Sequence, residues 1–176
     1  SPSFLKKGKV MKVDLCVIGA GSGGLSIAAG AAQLGVSVAL IENGKMGGDC
    51  LNYGCVPSKS LLAAAKRAKV FRTSSPFGLQ KVDPNVDFVK LHQHIQEVIK
   101  AIAPHDSVQR FEKLGVHVIR EKAVFLSSKI LQAGKHKIEA KYFVIATGSS
   151  PALPPIPGLN TVNYLSNETI FDLKEK

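Results

Sequence analysis

Two cysteines separated by four residues stand in the stretch Gly47-Gly48-Asp49-Cys50-Leu51-Asn52-Tyr53-Gly54-Cys55-Val56-Pro57-Ser58-Lys59. Its glycines let the backbone bend tightly. Pro57 and Ser58 then open an apolar, alanine-rich segment expected to be helical from Ser60 to about Phe71. Proline suits a first helical turn, because the N–H it lacks would have no partner there. The cysteines are therefore expected just ahead of a helix N-terminus, whose partial positive charge favours a thiolate. Lys59 adds a positive charge within one turn. Thiolate is the attacking species in disulfide exchange, so the stretch suits reversible redox chemistry. A structural disulfide and half of a zinc site are the competing readings. For zinc, no second Cys or Cys/His pair follows at the necessary spacing.

The elements that must position these thiols begin at Val13-Asp14-Leu15-Cys16-Val17-Ile18, a mostly apolar run that reads as a buried parallel strand. Gly19-Ala20-Gly21-Ser22-Gly23-Gly24 follows directly, then Leu25 to Leu34 at helical spacing. Between a strand and a helix, G-x-G-x-x-G carries a mechanism. Gly19 permits the tight turn, Gly21 lets backbone approach a pyrophosphate, and Gly24 lets the helix pack closely, with Ala28 one turn on. The phosphates would sit on the helix N-terminus. Gly35 ends the helix, and Val36 to Ile41 is a second strand closing on Glu42, whose carboxylate can accept both ribose hydroxyls of an adenosine. The competing reading is a glycine-rich turn beside a solvated glutamate. Cys16, on a buried strand, behaves as a small hydrophobe and is the bystander among the three thiols.

Further along, Thr73 to Pro84 is rich in turn residues and reads as a surface loop. Val86 to Ala103 has helical spacing, Pro104 breaks or kinks it, and His105 to Leu114 continues as a second helical piece to Gly115. His92 and His94 lie two apart on that helix and face different sides, as solvated or partly packed side chains rather than metal ligands. Val116 to Ile119 is a third strand. Ala123 to Leu126, Lys129 to Leu131 and Lys137 to Ala140 suggest a small antiparallel meander turning at Gly134-Lys135. Tyr142 to Ile145 reads as another buried strand, ending in Ala146-Thr147-Gly148-Ser149. Ligands of open parallel sheets bind beyond the strands' carboxyl ends, so this second turn belongs beside the first. Pro151 to Pro157 is an extended exit, and Asn167 to Leu173 a short helix. The whole reads as an α/β fold.

With 176 residues, 45% of them apolar, the chain can bury a core of its own. Ser1 to Lys12 reads as a basic leader or a cloning remnant. No apolar run reaches the length of a membrane span, and three cysteines make no secreted disulfide scaffold. A cytoplasmic location is expected. The formal net charge of +10 raises the question of nucleic acid, yet the lysines are dispersed and aromatics are only 6%. No basic helix is interleaved with aromatics, so nucleic acid is not an expected partner. Attraction of an anionic dinucleotide, or complementarity to acidic surface elsewhere in a longer chain, accounts for the charge better.

The cysteine stretch resembles the redox-active segment of the pyridine nucleotide-disulfide oxidoreductases. That class contains dihydrolipoamide dehydrogenase, glutathione reductase and mercuric reductase. Their pattern G-G-[ST]-C-x-N-x-G-C-[IV]-P-[SK]-K is matched throughout except at Asp49. Within the class, Gly48 to Tyr53 and Ile102-Ala103-Pro104-His105-Asp106-Ser107-Val108-Gln109-Arg110-Phe111 look most like mercuric-reductase-like flavoproteins. The resemblance runs from Val13 to Leu173 and corresponds to the N-terminal part of a family member.

The resemblance implies a Rossmann-like FAD-binding domain over 13–150, with a parallel sheet and a small antiparallel meander. An exit segment over 151–176 would lead toward an NAD(P)-binding unit. It implies a redox-active Cys50–Cys55 disulfide, with Cys55 against the flavin, Cys50 as the thiol facing substrate, and the Lys59 ammonium near the flavin ring. Gly19, Gly21, Ser22, Gly23, Gly24, Glu42, Asn43, Gly48, Asp49, Ala123, Ala146, Thr147 and Gly148 would join Cys50, Cys55 and Lys59 in holding FAD. NAD(P)H would be the reductant and a homodimer the assembly, with no membrane partner in this segment. The substrate stays open between mercuric ion, lipoamide, glutathione and others. A flavin-binding module without redox chemistry and an ordinary NAD-binding domain are the rival function classes. The acid–base pair of the family comes from a C-terminal domain, and the five histidines here fall on helices or strands outside the redox loop. The segment alone is therefore expected not to turn over.

Overall fold

β-Branched and leucine side chains between Met11 and Ile18 favour an extended chain, and they form β1 at the middle of a six-stranded sheet. The computed structural model describes residues 10–175. Most of the leader expected over 1–12 lies outside them, and its last two residues, Met11 and Lys12, belong to β1. The elements follow in the order β1 (Met11–Ile18), α1 (Ser22–Gln33), β2 (Val38–Ile41), α2 (Gly48–Asn52), α3 (Cys55–Arg72), α4 (Phe88–Ile102), α5 (Val108–Lys113), β3 (His117–Ile119), β4 (Ala123–Phe125), β5 (Ile130–Ala133) and β6 (His136–Ile145). The chain forms two compact units. One comprises the described residues up to Gly48 with Pro104–Gly148, and the other comprises Asp49–Ala103 with the residues from Ser149 onward. The stretch 13–150 thus contributes to both.

The first unit holds the sheet, in the order β3-β2-β1-β6-β5-β4. β1 runs parallel to β2 and to β6, and β2 parallel to β3. β4, β5 and the start of β6 pair antiparallel. The expected meander and the expected strand over Tyr142 to Ile145 are therefore one continuous sheet. β6 pairs with β5 through His136 to Glu139 and with β1 from Ile138 to Ile145. The sequence reading broke this strand at Lys141, a charged residue, but in the structure that ammonium reaches Asp14 of β1 across the ladder at 2.5 Å. The C-terminal half of β6 is also less buried than read, since Tyr142 is 70% and Ile145 69% exposed.

Side chains alternate between the two faces of the sheet. Cys16, Ile18, Ala39 and Ile41 pack with Leu131, Ala133 and Ile138 on one face. Val17, Val38 and Leu40 pack with Leu25 and Ala28 of α1 and Phe111 of α5 on the other. β2 starts at Val38 rather than Val36 because the preceding residues have other partners. The Val36 N–H donates to Ala31 O at 3.0 Å, and the Ser37 hydroxyl donates to Asp14 Oδ2 at 2.7 Å.

In the second unit α3 packs against α4, and the 3-10 turn Ile170–Asp172, whose Phe171 is buried, lies against both helices. That turn is all that forms of the helix expected over Asn167 to Leu173. Asp87 caps α4 by accepting from the Lys90 N–H at 3.0 Å, as a carboxylate at that position commonly does. Among the described residues no helix is long and apolar enough to cross a membrane.

Candidate active site

The glycine turn between β1 and α1 lies at the carboxyl ends of the parallel strands. Gly19 N–H donates to Ile41 O at 2.7 Å and Ala146 N–H to Ile18 O at 2.8 Å, so three strand ends are laced together. Gly19 has φ +106°, and a Cβ there would stand 2.1 Å from Ala146 O. Only glycine permits that backbone and that approach. Ala146 and Thr147 thus sit against the first turn, so the second turn lies beside the first as the sequence led us to expect. Gly24 is equally tight, since a Cβ would meet Gly19 O at 1.8 Å. Gly21 and Gly23 differ: the first would bring a Cβ to 3.8 Å from Gly48 Cα, and the second would meet nothing within 4 Å. Protein packing does not demand glycine at either place.

These two open glycines flank Ser22, the first residue of α1. The helix has no side-chain cap and no acidic residue in its first turn, so its first N–H groups and its positive dipole end are left to a ligand. Glu42 directly follows β2, and its carboxylate is held by backbone N–H groups of the first turn and of its own loop. Oε2 accepts from the Ala20 N–H at 2.7 Å and Oε1 from the Gly44 N–H at 2.6 Å. A carboxylate has lone pairs beyond those two, so it can still accept from a ribose. Space above the helix terminus and a positioned carboxylate are what an adenosine pyrophosphate such as that of FAD requires, and these residues fit the group. Asn43 is exposed in the following loop, and Ala123 starts β4 half-buried against the core.

One feature of this loop escaped the sequence reading. Arg120, just beyond β3, donates from its guanidinium to Gly44 O and so ties the Glu42 loop to the neighbouring strand end. Its position after a parallel strand was the available signal. Gly47 N–H donates to Ala20 O at 2.9 Å, and Gly48, at φ +57°, would place a Cβ 2.6 Å from Gly21 Cα. The two glycine segments of the first unit therefore touch backbone to backbone.

The second unit carries the thiols. Cys50 lies within the short α2, half-buried, and Cys55 is the first residue of α3, exposed. The helix begins five residues before Ser60 because Gly54 closes its first turn, accepting from the Ser58 N–H at 2.9 Å. Pro57 falls in that first turn, where its missing N–H costs nothing. Gly54 also keeps the two thiol-bearing segments close, since a Cβ there would lie 2.9 Å from Asp49 O. Asp49 stands in the first turn of α2, where a carboxylate meets the positive helix end. Lys59 is exposed one turn above Cys55.

A cavity of about 490 Å³ lies between α3 and α4, lined by Cys55, Val56, Lys59, Ser60, His94, Val98 and Ile102. His94, read from sequence as remote from the redox loop, shares this lining with Cys55. The sequence places them 39 residues apart on separate helices, and only helix packing unites them. The Ser60 hydroxyl is buried with no hydrogen-bond partner. Cys16 is buried in the other unit, and burial pushes its thiol up to about 12. Among the described residues no group of three or more His, Cys, Asp and Glu could hold a metal ion.

The sequence profile of the pyridine nucleotide-disulphide oxidoreductases matches residues 13–176. Relatives include the mercuric reductase of Staphylococcus aureus, 36% identical over 92% of this chain and 30% of that protein. The dihydrolipoyl dehydrogenase of Chlamydia muridarum is likewise 36% identical, over 92% of this chain and 36% of that one. Among solved structures, the HOCl-induced flavoprotein disulfide reductase RclA from Escherichia coli superposes with a TM-score of 0.73 at 28% identity, covering 92% of this chain and 34% of its own. The chain thus spans about a third of the length of the relatives it matches. With that profile matched over nearly the whole chain, from residue 13 to 176, the chain belongs to the pyridine nucleotide-disulphide oxidoreductase family.

Proposed function

We propose that this chain is the flavin-binding, dithiol-bearing part of a mercuric-reductase-like flavoprotein that takes electrons from NAD(P)H. Bound FAD supplies two-electron transfer between the nicotinamide and the Cys50–Cys55 disulfide. The observation that carries this reading is the pair of unobstructed glycines, Gly21 and Gly23, at the uncapped start of α1 with Glu42 fixed beside them. Gly19 and Gly24 bring backbone close, Gly21, Ser22 and Gly23 receive the pyrophosphate on N–H groups, and Glu42 with Asn43 receives the adenosine. Gly48, Asp49, Ala123, Ala146, Thr147 and Gly148 complete the hold.

The thiols divide the remaining work. Cys55, at the helix start, is the thiol toward the flavin, where the helix dipole favours its thiolate. Cys50 exchanges with substrate, and Lys59 supplies positive charge to an anionic ring. Over the residues compared, the dihydrolipoyl dehydrogenase is as similar as the mercuric reductase, which makes a dithiol such as lipoamide the second candidate substrate. A homodimer and a cytoplasmic location complete the proposal.

Reconstitution with FAD tests it. The parent chain should retain a flavin absorption band through gel filtration. Gly21→Val should lose the band while keeping its far-UV circular dichroism. Retention by the variant equal to the parent's would show that the turn is not the site.

A further inference from the structure

We infer that Arg120 is a positioning residue for the adenosine end of FAD, acting through Gly44 on the Glu42 carboxylate. The inference rests on reading the turn after β1 as the FAD site, and it adds a residue from a third strand. β2 and β3 pair in parallel up to Ile41 opposite Ile119, so Glu42 and Arg120 leave the sheet side by side. The Glu42 N–H donates to Ile119 O at 3.0 Å, which pins its main chain. Its carboxylate is pinned twice, by the Ala20 N–H at 2.7 Å and by the Gly44 N–H at 2.6 Å.

Those two donors are not equally secure. Ala20 is buried in the core of the first unit, so its N–H stays in place. Gly44 is exposed, and an exposed glycine has more backbone freedom than any other residue. The carboxylate lies close against it, since a Cβ at Gly44 would stand 3.3 Å from Glu42 Oε1. On its carbonyl side Gly44 is gripped by Arg120, whose Nη2 donates to Gly44 O. A hydrogen bond from a charged donor is stronger than one between neutral groups. Without it Gly44 can swing away, Oε1 loses its donor, and the carboxylate turns about its remaining bond to Ala20. A group that must be ordered at the moment of binding gives up part of the affinity it contributes. Arg120 touches no ligand in this scheme; it sets the orientation in which Glu42 meets the ribose.

Calorimetric titration of the full chain tests this, with FAD and with ADP, which carries the adenosine and pyrophosphate without the ring. Arg120→Gln should weaken both ligands about tenfold, with circular dichroism and urea midpoint close to the parent's. Arg120→Lys should recover most of that loss, because an ammonium N–H can serve the same carbonyl. In a Glu42→Ala background, Arg120→Gln should cost no more than about twofold further, since the group it orients is gone. Unchanged affinities in Arg120→Gln overturn the inference. So does an equal loss in both backgrounds, which would make the guanidinium a direct attractant for the anionic pyrophosphate. Should Arg120→Gln be poorly folded, Arg120→Met keeps the aliphatic stem and is read in the same cycle by the same criteria. Failure of the flavin reading shows separately, in a parent chain that does not bind FAD, and the inference falls with it.

Discussion

Three cysteines share this chain, and their surroundings separate them more sharply than their sequence context does. Cys16 sits at 0% exposure between β2 and β6. Deprotonating it would bury an unpaired charge, which is why its thiol is pushed up to about 12. Cys55 is exposed at a helix start. A brief treatment of native, reduced protein with iodoacetamide should therefore label Cys55 and leave Cys16 untouched until denaturant is added. Mass spectrometry of tryptic peptides reads the difference. Early labelling of Cys16 would mean that β1 is not held in the sheet. Thiol counting checks the pairing itself: oxidised protein, once denatured, should show one thiol, and three after reduction. Three before reduction would exclude a Cys50–Cys55 disulfide.

Among the elements, the turn joining β1 to α1 combines two kinds of glycine. Gly24 is there for packing, because a Cβ would strike Gly19 O at 1.8 Å and Val17 Cγ1 at 3.3 Å. Backbone cannot yield there without parting α1 from β1, so Gly24→Ala should cost about 1–3 kcal/mol, as overpacking does. Gly21 is a helix N-cap in extended conformation with open space above it. Gly21→Ala should leave stability within about 0.5 kcal/mol, the weaker cap being offset by a less flexible unfolded chain. It should nonetheless weaken FAD binding. Urea midpoints and flavin titration of the two variants separate packing from ligand clearance. Equal stability losses would mean that both glycines serve packing.

For the molecule as a whole, acid stability follows from a network joining β1, β6 and the approach to β2. Asp14 accepts from Lys141 Nζ at 2.5 Å, from the Ser37 hydroxyl at 2.7 Å and from the Ser37 N–H at 3.2 Å. The Lys141 hydrogen bond and those of Ser37 lower its carboxyl to about 2, against 3.8 unperturbed. A depressed folded-state value contributes stability above the unfolded one, and that contribution disappears as pH falls through the folded one. Stability should thus decline between about pH 4 and pH 2, and Asp14→Asn should flatten that part of the curve. Lys141 is raised by the same partner, so its share is present at neutral pH and disappears only on the alkaline side. Thermal midpoints across the acid range check the slope, and an identical slope in Asp14→Asn would assign the acid loss to other carboxylates.

Local chemistry was legible in the sequence because it depends on local backbone. A strand, G-x-G-x-x-G and a helix in succession determine a turn of fixed geometry, and Glu42 follows at the end of the next strand by chain length alone. The cysteine stretch likewise determines a bend and a helix start, although Gly54 rather than Pro57 sets where α3 begins. What depended on distant segments was not legible. The joining of the meander to the parallel sheet rests on the pairing of β6 with β1, from Ile138 opposite Met11 to Ile145 opposite Ile18, which spans most of the chain. The tie from Arg120 to the Glu42 loop spans 76 residues. The meeting of His94 with Cys55 in one cavity arises from the packing of α3 on α4. Periodicity marks which face of a helix is apolar, but it does not say which neighbour covers that face or which polar residue is carried to its rim. Only the tertiary structure decided those contacts, because each joins residues far apart in the chain that meet only when their elements pack.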